Sequence, residues 1–168
     1  MKTIVLVRHG ETVANRTGVL SGWSDVRLTV DGIRSAALLE PLARDATVWS
    51  SDLRRCQQTA WAAGWSFAVD ARLRELNFGL LEGERFGDIQ PDVRDAMFGY
   101  RDLPVEGAET IAHFEGRVFG FVDRLPPGAH VLVTHGGVIR ALTRRLGQEL
   151  TIPPASSVAL SVVRPLVG

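Results

Sequence analysis

Cysteine, lysine and long apolar runs are what this chain of 168 residues has least of. Its single cysteine, Cys56, cannot close an internal disulfide. The N-terminus carries neither a signal-like apolar stretch with a cleavage site nor a basic amphipathic leader, so a cytoplasmic protein is expected. No apolar run approaches the roughly 20 residues that a membrane-spanning helix needs, which predicts no membrane partner. An excess of one charge is missing too. With 19 basic and 19 acidic residues there is no net field to hold a nucleic-acid backbone or an anionic bilayer. A small molecule is the expected partner, and self-association, if it occurs, is expected to give a homodimer. Lysine occurs once, at Lys2, and the other basic residues are arginines, which suit bidentate capture of phosphate or carboxylate. Repeats, low-complexity tracts and linkers are absent, so residues 1–168 read as one domain. At this size folding buries about 70% of the unfolded chain's surface, enough for a real core.

The chain alternates strands with helices. Thr3 to Val7 (TIVLV) is short, β-branched and apolar, as expected of a strand buried on both faces. A polar loop with at most a helical turn follows to Leu28. Thr29 caps a predicted helix over VDGIRSAALLEPLA, and ATVWS is the second strand. Ser51 or Asp52 caps the helix LRRCQQTAWAAG, which Gly64 ends, and SFAV is a brief third strand. From Asp70 to Pro104 the pattern loosens to short helical pieces at most. Ile111, Phe114, Val118, Phe121, Val122 and Leu125 then recur at helical spacing until PPG stops the helix. HVLVT is a further strand, HGGVIRALTRRLG a helix closed by Gly147, and SVALSVV the last strand. Such alternation predicts an α/β three-layer sandwich, a mostly parallel central sheet flanked by helices, with the ligand beyond the C-terminal ends of the strands.

Three polar groups fall at that edge: RHGET after the first strand, SSDLRRC after the second and THGG after HVLVT. If the strands are neighbours, Arg8, His9, Arg55 and His135 meet in one cleft. Such a cleft takes a compact anion, with Gly136 and Gly137 adding the N-terminal end of a helix. There is no phosphatase-type cysteine loop, no GxSxG elbow and no Walker loop. A neutral imidazole is then the available nucleophile. Arginine neighbours disfavour its protonation, and they stabilise the charge spread over a transferring phosphoryl group. Asp and Glu candidates for the acid that protonates the leaving oxygen include Glu11, Glu75, Glu82 and Glu84, and spacing alone does not choose among them.

LVRHGET, SGWSDVRLTVDG, SSDLRRCQQTA, RELNFGLLEG, EGAET and VTHGGVIRAL resemble, in order, the segments of the histidine phosphatase superfamily, the phosphoglycerate mutase-like enzymes. The likeness runs from about Lys2 to Leu146. It implies that His9 is the nucleophile that becomes phosphohistidine, that Arg8 and Arg55 clamp the phosphate, and that His135 is the second catalytic histidine and also binds phosphate. It implies Glu75 as the acid that later serves as base. Asn15 aligns with a phosphate-binding position, and Ser21, Gly22 and Gly136 with positions that contact substrate. On this reading Gly10 leaves room for the phosphate, and the cycle needs neither a metal nor another cofactor.

The mutase-type members carry an inserted basic segment. Here only about 30 residues separate Glu75 from EGAET, without a paired-arginine or lysine-rich stretch. Hydrolysis is favoured, and RELNFGLLEG with the short chain most resembles the α-ribazole phosphate phosphatases of cobalamin biosynthesis. Leu81 stands where tryptophan is common in that motif. Broad-specificity sugar-phosphate or phosphoglycerate phosphatases, a phosphoglycerate mutase, and a non-catalytic phospho-ligand receptor are the alternatives. His113 and His130 read as structural or solvated, and Arg54, Arg140, Arg144 and Arg145 as solvated helix faces. Glu82 reads as a cap on the segment after it, and Cys56 and the four tryptophans as packing.

Overall fold

The computed structural model describes residues 1–163 and 165–167. Chain order is β1 (Lys2–Arg8), α1 (Val13–Thr17), α2 (Val30–Ala37), β2 (Thr47–Ser50), α3 (Arg54–Ala62), β3 (Ala68–Val69), α4 (Pro91–Phe98), α5 (Ile111–Arg124), β4 (Gly128–Thr134), α6 (Gly136–Arg145) and β5 (Ser157–Val162). Short 3-10 turns punctuate the stretch between β3 and α4. Among the described residues the strands form one five-stranded sheet in the order β3-β2-β4-β1-β5. β3, β2, β4 and β1 run parallel, and β5 closes the edge antiparallel to β1.

Alternation along the strands sorts the core onto two faces. Ile4 and Leu6 of β1 and Leu132 of β4 meet Phe114, Val118 and Phe121 of α5 and Ile139 and Leu142 of α6. Val7, Val131 and Val133 meet Ala36 of α2 and Cys56, Ala60 and Ala63 of α3. This is the expected three-layer sandwich. Lys2 Nζ donates to the Val122 and Asp123 carbonyls, satisfying the C-terminal end of α5. A smaller cluster of Ile89, Val93, Ala96 and Leu103 gathers α4 with the loops around it. No helix among the described residues is long and apolar enough to cross a membrane.

Several element ends differ from expectation. α2 stops at Ala37, and Glu40–Ala43 forms a separate 3-10 turn. Pro41 accounts for this, because its ring would collide with the carbonyl four residues back, that of Ala37. Neither Ser51 nor Asp52 is the N-cap of α3. Leu53 holds that place, and the Arg54 N–H is satisfied by Asp25 Oδ1 from another loop at 2.9 Å. Asp52 instead pairs with Arg74. SFAV contributes only Ala68–Val69, opposite Trp49 and Ser50, before Asp70 turns the chain by accepting the Arg72 N–H.

α3, α4 and α6 close with the same pair of bonds, in which the two residues after the cap donate back into the last turn. α3 does so with Gly64 (φ 73) and α6 with Gly147 (φ 82), the left-handed backbone that glycine adopts freely. α4 does so with Tyr100 at φ 54, a residue that pays a steric penalty there.

Candidate active site

The strand register builds the site. Arg8 lies opposite Thr134, and Ser50 opposite Val133, so the three polar segments that follow β1, β4 and β2 emerge side by side. His9 and His135 stand edge to face with ring centroids 5.3 Å apart. His9 Nδ1 lies 2.8 Å from the Gly10 carbonyl, which can only accept, so the ring proton is on Nδ1 and the lone pair on Nε2. Burial, Arg55 and Arg8 together push the His9 pKa down to about 3, so the ring is neutral at physiological pH.

Arg55 is 1% exposed and links the elements. Its Nη2 donates to the Gly22 carbonyl at 2.6 Å, its Nη1 to the Ser24 carbonyl at 2.9 Å, and its Nε to His135 Nδ1 at 3.2 Å. His135 therefore carries its proton on Nε2, which donates to Ser51 Oγ at 3.0 Å. Burial, then Arg55, holds the His135 pKa well below the ordinary histidine value. Each terminal nitrogen of Arg55 keeps one N–H for a ligand. Arg8 donates from Nη1 to the Ile152 carbonyl at 2.6 Å, while its buried Nε has no partner among the described residues. An anion in the cleft would satisfy that donor.

Glu75 closes the arrangement. Its Oε2 accepts from the Gly137 N–H at 3.0 Å and its Oε1 from the Leu76 N–H at 2.9 Å. A Cβ at position 137 would overlap the Glu75 carboxylate, so any larger residue there would displace that side chain. The backbone that presents Glu75 hangs on Arg117, which uses all five N–H groups. Nη1 donates to the Arg72 and Arg74 carbonyls, Nη2 to the Glu75 carbonyl and Glu109 Oε2, and Nε to Glu109 Oε1, at distances of 2.7–2.9 Å. Burial, the largest single influence on Glu109, favours its neutral acid. The Arg117 hydrogen bonds and charge outweigh it and hold the carboxyl below the usual range. Trp23 Nε1 donates to the same Glu75 carbonyl at 2.8 Å.

A cavity of about 430 Å³ opens over these groups. Seven of the nine residues expected from the sequence line it: Arg8, His9, Asn15, Ser21, Arg55, Glu75 and Gly136. His135 and Gly22 stand behind the wall, where both touch Arg55. Asn15 accepts from the Thr12 N–H and hydroxyl through Oδ1, which fixes the amide at the start of α1 and leaves its NH₂ side to the cavity.

Three further expectations change. Gly10 does not serve to leave room for phosphate, because a Cβ there would strike the Gly32 carbonyl of α2. Glu82 reaches back, accepting the Trp23 and Ser24 N–H groups at 2.7 Å each and so fixing the loop whose carbonyls hold Arg55. Arg140 is no solvated face. It pairs with Glu149, donates to the Met97 and Phe98 carbonyls at the end of α4, and lines the cavity. Ser51 and Glu82 take roles other than the cap or acid that the sequence suggests, and the sequence assigns nothing to Arg117 or Glu109. Only the EGAET segment hinted at the last.

Cys56 Sγ lies 3.4 Å from His135 Nε2, but burial raises its pKa and keeps it a thiol. His113 is exposed beside Glu109, and His130 is buried with Nε2 at 2.9 Å from the Pro126 carbonyl. Among the described residues no group of three or more His, Cys, Asp or Glu side chains is arranged to hold a metal ion.

Comparison with known proteins follows the same lines. The sequence profile of the histidine phosphatase superfamily (branch 1) matches residues 4–161. The chain is 34% identical over 161 residues to the protein named probable phosphoglycerate mutase GpmB of Yersinia pestis (strain Pestoides F), covering 87% of this chain and 75% of that one. The crystal structure of a phosphoglycerate mutase from Thermus thermophilus superposes with a TM-score of 0.89 at 41% identity, over 94% of this chain and 92% of that one. Mycobacterial hydrolase 1 superposes with a TM-score of 0.79 at 26% identity, over 95% and 88%.

Proposed function

Because this chain belongs to the histidine phosphatase superfamily, we propose that it is a phosphomonoesterase that hydrolyses a small phosphorylated metabolite through a phosphohistidine on His9. The observation that carries the reading is the fixed tautomer of a neutral His9, whose Nε2 lone pair is left unshared.

In the first step the Nε2 lone pair attacks phosphorus, the ester P–O bond breaks, and Glu75 gives its proton to the departing alkoxide. In the second step Glu75 takes a proton from water as the hydroxyl attacks phosphorus. The P–N bond breaks, its electron pair returns to Nε2, and inorganic phosphate leaves. Arg8 and Arg55 hold the phosphoryl oxygens, with Asn15 and the Gly136 end of α6 as further donors, Ser21 lies along the substrate's first atoms, and Gly22 acts from behind the wall by fixing Arg55 through its carbonyl. His135 aligns Arg55 through Nδ1 and backs the nucleophile. α-Ribazole 5′-phosphate is the first substrate to examine, and the cytoplasm is the proposed compartment. The short segment between Glu75 and EGAET supports hydrolysis over return of the phosphoryl group.

Labelled phosphate should appear on His9 as an acid-labile adduct, and a fully active His9→Ala variant would end the proposal. Phosphate release in EDTA from α-ribazole 5′-phosphate, 3-phosphoglycerate and sugar phosphates ranks the substrates. A hundredfold preference for the first would mark a dedicated enzyme, and comparable low rates a broad one. Interconversion of 3- and 2-phosphoglycerate would mark a mutase. Phosphate binding without turnover would mark a receptor.

A further inference from the structure

We infer that the cavity selects phosphate esters whose alcohol half carries an apolar aromatic group, and that it discriminates against glycerate and simple sugar leaving groups that lack one. This rests on the phosphomonoesterase reading and adds the class of leaving group.

The cavity has two unlike ends. Arg8, His9, Arg55 and Glu75 occupy one, with the glycines that open α6. Much of the remaining wall is Phe78, Phe86, Met97, Phe98, Leu103 and Phe114, from the segment around α4 and the first turn of α5. Phe86 and Phe98 meet edge to face with centroids 5.8 Å apart, and Phe98 is 66% exposed. An aromatic edge is thus left at the mouth with no protein over it. A volume of about 430 Å³ lies in the range of small-molecule pockets, so a three-carbon acid would leave most of this wall wetted.

The arginines in that half are poorly placed to grip a carboxylate. Arg140 is held by Glu149 and by the Met97 and Phe98 carbonyls, and its guanidinium lies 5.2 Å above the Tyr100 ring. Arg101 is exposed to solvent, where pairing with a carboxylate is screened. Tyr100, whose buried hydroxyl has no partner among the described residues, and Thr151 also face the cavity and give a leaving group a single-hydroxyl contact rather than a charged grip. An aromatic leaving group would instead cover apolar wall from water, and differences of one or two carbons in such a pocket change selection by about tenfold or more.

The test compares primary alkyl phosphates, so that leaving-group reactivity stays similar: 2-phenylethyl phosphate, glycerol 3-phosphate and 3-phosphoglycerate. The expected result is a kcat/KM at least about tenfold higher for the phenylethyl ester than for either of the others. Phe98→Ser, at an exposed position that does not threaten folding, should shrink that ratio by about threefold or more. Turnover with equal rates, or with 3-phosphoglycerate ahead, overturns the inference and leaves the phosphatase reading standing. A turnover-free measurement separates the two claims. By calorimetry, 2-phenylethylphosphonate should bind at least about tenfold tighter than methylphosphonate; equal affinities overturn the inference. Tighter binding of the phenylethyl compound with no hydrolysis of any ester supports the apolar chamber and refutes the phosphatase reading.

Discussion

Replacing Arg117 by lysine keeps the charge and removes the fork. The arginine makes five hydrogen bonds and lysine has three donors, so at least two of the bonds to the Arg72, Arg74 and Glu75 carbonyls and the Glu109 carboxylate are lost. At about 1–3 kcal/mol for each bond lost from this buried cluster, the variant should lose roughly 2–6 kcal/mol of stability. The consequence for catalysis is specific. Trp23 still holds the Glu75 carbonyl from one side, so the segment shifts without melting. A displacement of about 1 Å of a reacting group costs on the order of a hundredfold. That loss should fall on esters whose alkoxide must be protonated as it leaves, because there the proposed acid Glu75 is needed. It should nearly vanish for 4-nitrophenyl phosphate, whose leaving group departs as a stable anion. The assay is the single-turnover rate of phosphoryl transfer for an alkyl and a 4-nitrophenyl ester, with burst amplitude reporting the active fraction. An equal fall for both esters, or a fall only in burst amplitude, would refute the idea that Arg117 positions an acid.

The remaining predictions concern other contacts. His9 and His135 both have depressed pKa values, so the unfolded chain binds protons more readily than the folded one below about pH 6.5, and stability declines as pH falls toward about 3. For His9 alone the decline between pH 7.5 and 5 is about 2 kcal/mol, to be read as the difference between the wild type and His9→Gln in urea unfolding at the two pH values. Gly137→Ala adds a good helix former but drives a methyl group into the Glu75 carboxylate. Activity should drop at least about tenfold with no comparable loss of thermal stability, and retained activity would remove Glu75 from the mechanism. Glu82→Gln places an NH₂ group against the Trp23 or Ser24 N–H and should cost about 2 kcal/mol in urea unfolding, with weaker phosphate binding as the Arg55 anchors loosen.

What could be read from the sequence was whatever is encoded locally. Arg8, His9 and His135 follow directly on strands whose apolar pattern is plain, and Arg55 sits one turn past another, so sheet order alone brought them together. The layer arrangement followed from the same alternation. Arg117, Glu82 and Ser51 act on backbone atoms or a ring distant in the chain, and nothing in the spacing of a helix reports which carbonyl an arginine will meet. Arg140 was misread for that reason, since its position on α6 says nothing of α4 packed opposite. The cap of α3 failed similarly, because Asp25 supplies from another loop what Ser51 or Asp52 would have supplied locally.

The sheet order also sets a timetable for synthesis. β1 is made first, yet its parallel neighbour β4 and its antiparallel neighbour β5 come late in the chain. His135 follows His9 by roughly 125 residues. At about 5–20 residues per second His9 waits some 6–25 s on the ribosome before the strand that pins it can exist. Through that interval TIVLV is an apolar segment without the strands that pair with it in the folded sheet.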